Sequence, residues 1–154
     1  MPKRSVLMPA IALIVVPVCA FAIDGQVLIN QSTVAAAGGF PYTITQPGSY
    51  KLSGNPTVVA PNTDGIDINA DNVTLDLNEF VISGPGNGPI VGSGISSRKL
   101  NITVKNGTVT GFPTGVNLAA GRALVSDMSA TRNRLWLQRG HADRLPGGAF
   151  APRV

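Results

Sequence analysis

The sequence predicts an all-β solenoid of about three coils, because one pattern recurs at fixed spacing and its residues alternate in polarity. An apolar run begins beside Gly65, Gly94 and Gly115. A second strand-like run starts seven residues after each glycine, at Asn72, Asn101 and Arg122. Within these runs apolar and polar residues alternate with a period of two, which indicates strands with one face turned inward.

The spacing of the copies favours short strands over helical repeats. The step from Gly65 to Gly94 recurs between the second runs of the same two copies, and we call it the long spacing. The step from Gly94 to Gly115 likewise recurs between their second runs, and we call it the short spacing. Both are smaller than the repeats of tetratricopeptide or ankyrin proteins, which need about 33 or 34 residues and apolar spacing near 3.6. The short spacing fits two or three strands joined by tight turns. The long spacing exceeds the short spacing by eight residues, so the first copy carries eight extra residues. The Gly- and Pro-rich segment 84–89 is their predicted position.

Two segments before the repeats are predicted to lead into the solenoid. Residues 23–39 contain one short apolar run, Val27–Ile29, and the sequence Ala35–Gly39 is typical of a flexible joint. Residues 43–52 predict two strands around the Pro47–Gly48 turn, because proline presets φ and glycine accepts a positive φ. We expect this second segment to cover the open end of the first coil, since uncovered strand edges pair with other chains.

Stacking follows from the long spacing. It places Val73 over Ile102 in an inward apolar ladder, where each buried methylene contributes about 0.8 kcal/mol. On the outer surface it places Asp76 over Lys105. Strands about 4.8 Å apart bring those two charges within reach of an ion pair, which contributes about 0–1 kcal/mol when exposed.

The runs Asn72–Asn78 and Asn101–Gly107 resemble the repeats of right-handed parallel β-helix proteins of the pectin-lyase-like family. The resemblance covers roughly residues 40–130, and residues 43–52 resemble the entry coil of secreted bacterial members. It implies a single-stranded right-handed parallel β-helix with an N-terminal cap. Because these motifs are common to many β-helices, they indicate the fold and not the substrate.

The N-terminus predicts a secretory signal peptide at residues 1–22. Lys3–Arg4 precede an apolar stretch, residues 6–18, and Ala20–Ala22 supplies a small-x-small cleavage site. A stretch of that length spans only about 20 Å as a helix, short of the ~30 Å hydrocarbon core, so no permanent membrane span is expected after cleavage. Cys19, the only cysteine, would leave with the signal. We therefore expect a secreted, periplasmic or cell-surface protein without disulfides.

Charge is divided unevenly along the chain. The formal net charge is +4, yet residues 23–130 hold more acidic than basic side chains. Residues 131–154 are Arg-, Gly- and Pro-rich, and the alternation stops there. Three interpretations of this irregular tail are a basic surface-binding appendage, a disordered end, and the product of a shifted reading frame in a chain incomplete at its C-terminus. We favour the shifted frame, so Trp136 and His141 are not candidate site residues. Nucleic acid is not an expected partner, because a basic surface on the folded body is lacking.

One motif points toward catalysis. Asn62–Asp64 resembles the Asn-Thr-Asp motif of polygalacturonases. This resemblance implies a glycosidase that works with paired carboxylates. The Asp-Asp pair and the Gly-His-Gly of those enzymes have no counterparts in the following coils, at residues 82–86 and 106–108. Asp64 is therefore predicted to begin a turn and Asp67 to be a solvated outward residue. The Asp and Arg residues are also too scattered for a pectate-lyase calcium site, so no metal, cofactor or catalytic residue is predicted.

Two functions remain open. The first is a non-catalytic extracellular module, structural or carbohydrate-contacting, with Asp67, Asp76 and Lys105 as candidate contacts to an extracellular polysaccharide. The second is the N-terminal fragment of a polysaccharide-degrading enzyme of the polygalacturonase or pectate-lyase type, whose catalytic coils are missing. The first hypothesis needs no residue that this chain lacks.

Overall fold

A computed structural model describes residues 25–86 and 91–139 of the chain. The predicted signal peptide, Cys19 and His141 lie outside the described residues. The fold is a parallel β-solenoid of about five turns. Its elements are β1 (Gln26–Ile29), α1 (Gln31–Ala36), β2 (Tyr42–Ile44), β3 (Gly48–Leu52), β4 (Ile66–Ile68), β5 (Val73–Asp76), β6 (Val81–Ser83), β7 (Ser93–Ser97), β8 (Ile102–Thr110), β9 (Thr114–Leu118), β10 (Ala123–Thr131) and β11 (Leu135–Arg139).

The strands form two parallel sheets that run along the solenoid axis. Sheet A has the order β1-β3-β5-β8-β10, with β6 also pairing with β8, and sheet B has the order β11-β9-β7-β4-β2. A third face combines β6 with the C-terminal halves of β8 and β10. In the first coil, α1 follows β1 in the chain. It takes the place that β6 and the C-terminal halves of β8 and β10 take in later coils. Each coil therefore contributes one strand to each sheet.

The register confirms the predicted stacking. Val73 pairs with Ile102 and Asp76 with Lys105, as the long spacing requires. The short spacing places Ile95 beside Val116. Side chains at alternate positions point inward and form one apolar core. Its fully buried large members are Ile29, Val34, Ile44, Leu52, Ile66, Ile68, Leu75, Leu77, Ile82, Ile95, Ile102 and Leu118.

The recurring glycines are explained by close contact between stacked backbones. A Cβ atom on Gly65 would lie 2.5 Å from the carbonyl oxygen of Gly94. A Cβ on Gly94 would lie 2.9 Å from the carbonyl oxygen of Gly115 and would also collide with Val109. A side chain at these positions would therefore force neighbouring coils apart.

The corners before β5, β8 and β10 have a left-handed backbone. Asn72, Asn101 and Arg122 have φ values of 58°, 57° and 59°. Asparagine tolerates this conformation better than most residues. The Asn101 side-chain amide also donates a 2.9 Å hydrogen bond to Asn72 Oδ1, so the stacked corners form a short amide ladder.

The prediction of about three coils was too low, because both flanking segments contribute to the solenoid. Residues 23–39 were expected to form a lead-in, but β1 pairs in parallel with β3 and belongs to the first coil. The expected flexible joint, Ala35–Gly39, instead begins with the last two residues of α1, a helix that starts with a capping box between Asn30 and Thr33 and buries Val34. The amide and hydroxyl of the capping box satisfy backbone groups that a short helix would otherwise leave unpaired.

The irregular tail was also predicted to start too early. Strand β11, Leu135–Arg139, pairs with β9 in the same register as the preceding coils. Leu135 and Leu137 occupy alternate positions of β11, with Trp136 between them, and so continue the period of two despite the nearby arginines. Residues 140–154 lie outside the described residues.

The eight extra residues occupy two positions and not one. From the last residue of β6 to the first residue of β7 there are ten positions, whereas the equivalent step from β8 to β9 has four. This connection therefore contains six of the eight extra residues. The other two lie between β5 and β6, where Asn78 and Glu79 adopt φ values of 50° and 65°. This second insertion lacks glycine and proline, so the sequence pattern did not reveal it.

Candidate functional site

A column of polar side chains crosses the outer surface of sheet B. Register places one residue of each strand in the same outward position, because the intervening residues such as Ile66 and Ile95 are buried. We call these residues the sheet B column. They are Thr43, Asp67, Ser96, Asn117 and Gln138.

Asp64 supports this column from its position just before β4. Its Oδ1 accepts a hydrogen bond from the backbone N–H of Ser93 at 2.6 Å. Its Oδ2 accepts one from the hydroxyl of Ser96 at 2.8 Å. Asp64 thus fixes the start of β7, immediately after the longer insertion, and orients the hydroxyl of Ser96.

The hydroxyl of Ser96 lies between two carboxylates. Its oxygen is 2.8 Å from Asp64 Oδ2 and 3.2 Å from Asp67 Oδ1. A serine hydroxyl carries a single hydrogen and donates to one acceptor at a time. The shorter contact is to Asp64, so Asp67 keeps capacity to accept hydrogen bonds from an outside donor.

A groove runs along the column. One cavity of about 350 Å³ contains side chains of the column together with two cations at its rim. A second cavity of about 350 Å³ adjoins it and shares Asp64 and Asp67 with the first. We call the two cavities together the sheet B groove. The first is lined by Asp64, Asp67, Ile68, Asn69, Ser96, Ser97, Arg98, Lys99, Asn117 and Ala119, and the second adds Phe40, Pro41, Asn62, Thr63, Val91 and Gly92.

The groove contains unmatched donors and acceptors. Among the described residues, neither Arg98 nor Lys99 has a carboxylate partner within ion-pair distance. Asn117 Oδ1 is buried and has no hydrogen-bond partner within the same residues. An unpaired buried acceptor costs about 1–3 kcal/mol. Arg98 and Lys99 can therefore donate hydrogen bonds to a bound molecule and Asp67 can accept them, whereas Asn117 Oδ1 is enclosed within the protein.

The structure separates the three residues that the sequence put forward. Asp67 lies in the sheet B groove. Asp76 and Lys105 lie on sheet A, where they form an ion pair of 3.6 Å. Asp76 also accepts hydrogen bonds from the backbone of Asn78 and the side chain of Asn106. These last two candidates therefore serve each other and the solenoid corner, and of the three only Asp67 lines the sheet B groove.

Sequence reasoning missed Ser96, Asn117, Arg98 and Lys99 as groove residues. The long spacing would have placed Ser96 beside Asp67, and the short spacing would have placed Asn117 beside Ser96. We applied both spacings only to the second runs of the repeat, which form sheet A, and not to the first runs, which form sheet B. The contact of Asp64 with the same serine could not be read from the spacing, because Asp64 lies outside a strand.

The groups available for chemistry in the groove are hydrogen-bonding groups and two neighbouring carboxylates. Two carboxylates meet, and Asp64 uses both of its oxygens to accept hydrogen bonds from the protein itself, from the backbone N–H of Ser93 and the hydroxyl of Ser96. In the part of the chain that the structure describes, no three His, Cys, Asp or Glu side chains are grouped to hold a metal ion. No helix within those same ranges has the length and apolar character to span a membrane.

Comparison with known proteins gave no assignment. No protein-family model, no curated protein and no solved structure matches this chain.

Proposed function

We propose that this chain is a secreted β-helix protein of the pectin-lyase-like type that acts as a non-catalytic extracellular module and contacts a polysaccharide through the sheet B groove. The observation that carries the proposal is the sheet B column, in which Asp67, Ser96 and Asn117 repeat polar groups across three successive coils. Its residues line a cavity in which Asp67 can accept hydrogen bonds and Arg98 and Lys99 can donate them.

The chemistry of the groove fits a hydroxyl-rich polymer. Sugar hydroxyls both donate and accept, and the groove contains an acceptor in Asp67 and donors in Arg98 and Lys99. Strands stack about 4.8 Å apart, so an extended polymer lying along the solenoid axis meets a new set of groups at each coil. Phe40 in the adjoining cavity adds an apolar surface against which a sugar ring can pack.

The alternative function is the N-terminal fragment of a polysaccharide-degrading enzyme. Two-carboxylate hydrolysis needs one group that donates a proton and one that activates water or attacks the sugar. Asp64 accepts hydrogen bonds from Ser93 and Ser96 that hold the start of β7 in place, and Asp67 alone cannot fill both roles. The alternative therefore depends on coils beyond the described residues, whereas the binding module depends only on the groove.

Binding is tested by affinity electrophoresis of the purified chain in gels containing single plant or bacterial polysaccharides. We expect retardation by at least one polymer, and we expect Asp67→Asn and Asn117→Ala to weaken it about tenfold, which corresponds to about 1.4 kcal/mol. Asp76→Asn is the matched control, because it makes the same change on sheet A. Equal weakening by Asp67→Asn and Asp76→Asn, or no retardation by any polymer, would contradict the proposal.

Catalysis is tested separately by measuring the release of reducing or unsaturated sugar ends. We expect none from polygalacturonate or other common polysaccharides, with or without calcium. Turnover that disappears in Asp64→Asn or Asp67→Asn would replace the binding module with the glycosidase alternative.

A further inference from the structure

Among the described residues, both ends of the solenoid present sheet edges without a partner strand. Strands β1 and β2 are the first strands of sheets A and B, and β10 and β11 are the last. Within residues 25–86 and 91–139, no strand pairs with the outer sides of these four strands. An open strand edge carries a row of free N–H and C=O groups and readily pairs with another chain.

Inward side chains at these ends are only partly covered. Val104 and Val116 are 0% and 1% exposed, but Val125 and Leu137, which occupy the same positions one coil later, are half-buried. At the other end, the inward Val27 is 39% exposed. The apolar core is therefore continuous through the middle of the solenoid and reaches solvent at both ends.

The two ends match each other position by position. The register of sheet A places Val27, Tyr50, Leu75, Val104 and Val125 in one inward column. The register of sheet B places Tyr42, Ile66, Ile95, Val116 and Leu137 in another. A second copy stacked on the last coil would thus set its Val27 against Val125 and its Tyr42 against Leu137, and both apolar columns would continue without a shift.

We propose that copies of this chain associate head to tail, with β10 of one copy pairing with β1 of the next and β11 pairing with β2. Every strand pair in both sheets is parallel. Only the head-to-tail arrangement continues parallel pairing, because two like ends would meet with their strands antiparallel. Such a contact joins different surfaces, so it does not close on itself and builds linear assemblies. At the third face, the C-terminal half of β10 of one copy packs against α1 of the next copy.

Sedimentation velocity of the purified chain over a range of concentrations tests the association. We expect the mean mass to rise with concentration. Val125→Lys and Val27→Lys should each abolish this rise, since an inward charge on an edge strand prevents edge pairing. Leu124→Lys and Leu28→Lys are matched controls, because they place the same charge on the same strands at outward, exposed positions, and they should still associate.

Mixing the two blocked variants tests the direction of the contact. Val27→Lys keeps a free C-terminal end and Val125→Lys keeps a free N-terminal end, so a mixture should form dimers and no larger species. Far-UV circular dichroism checks that each variant is folded; if one is not, Tyr42→Lys and Leu137→Lys replace the pair on sheet B. A chain that stays monomeric at every concentration would overturn the proposal. Loss of association in the outward controls, or failure of the mixed variants to dimerise, would overturn it as well.

Discussion

Replacing Gly65 with alanine tests whether backbone contact between coils sets the repeat. The added Cβ would lie 2.5 Å from the carbonyl oxygen of Gly94 and 3.1 Å from a methyl carbon of Ile82. The first neighbour is a backbone atom in a paired strand, so no side-chain rotation can relieve the collision. Overpacking in a well-packed core costs typically about 1–3 kcal/mol, and we expect Gly65→Ala to lower the free energy of unfolding by at least the upper part of that range.

Urea denaturation followed by circular dichroism measures this loss, with stability taken from midpoints at constant slope. Gly54→Ala is the matched control, because its Cβ would meet only the Cβ of Asn30 at 3.4 Å and its φ is not positive. There we expect a change between about zero and a gain of about 1 kcal/mol from the stiffer unfolded chain. Equal destabilisation by the two substitutions would refute the explanation, since it would show that the loss of glycine and not the contact matters.

Four further predictions concern the loop, the ion pair, a buried tyrosine and the chain start. Deleting residues 85–90 should change the free energy of unfolding by less than about 1 kcal/mol in the same assay, because it restores the four-position connection of the next coil and loop length acts weakly; loss of folding would show the register to be wrong. Asp76→Asn should cost at most about 1 kcal/mol of ion-pair energy, with any larger loss assigned to its other hydrogen bonds. Burial raises the pKa of Tyr50 above its ordinary value of 10.0, so the unfolded chain loses this proton first and stability should fall as pH rises above about 10, an effect that Tyr50→Phe should reduce. Amino-terminal sequencing of exported protein should begin at Ile23, and an intact Met1 would contradict the signal peptide.

The stacking of strands could be predicted because it depends on local features. Alternation marks the inward residues, and glycine spacing marks the coil length, so Val73 over Ile102 followed from counting. The first coil was missed since its helix contains Ala35 and Ala36 before two glycines, a composition that also occurs in linkers. Capping by Asn30 and burial of Val34 favour the helix; the capping box lies within residues 30–33, whereas the burial of Val34 depends on packing in the core.

The groove was less accessible to sequence reasoning than the fold. Its outward column follows from register, but the meeting of Asp64 and Asp67 at one hydroxyl depends on the angle of the turn before β4. Asp76 and Lys105 were correctly stacked, yet whether they face a cavity or satisfy each other is a property of the side chains around them. Repeat spacing therefore predicted which residues stack on each other in successive coils. It did not predict side-chain contacts made by residues in the turns between strands, such as Asp64.

The arrangement of coils in a single row has a consequence for how backbone amides exchange with solvent. Each strand contacts only the coil before and the coil after it, so opening of an inner coil requires its neighbours to open or part. Amides of β5 and β8 lie between paired strands on both sides, whereas those of β10 have a partner on one side among the described residues. Hydrogen exchange should accordingly be slowest in the middle of the solenoid and become faster coil by coil toward both ends, as a gradient and not as one cooperative step.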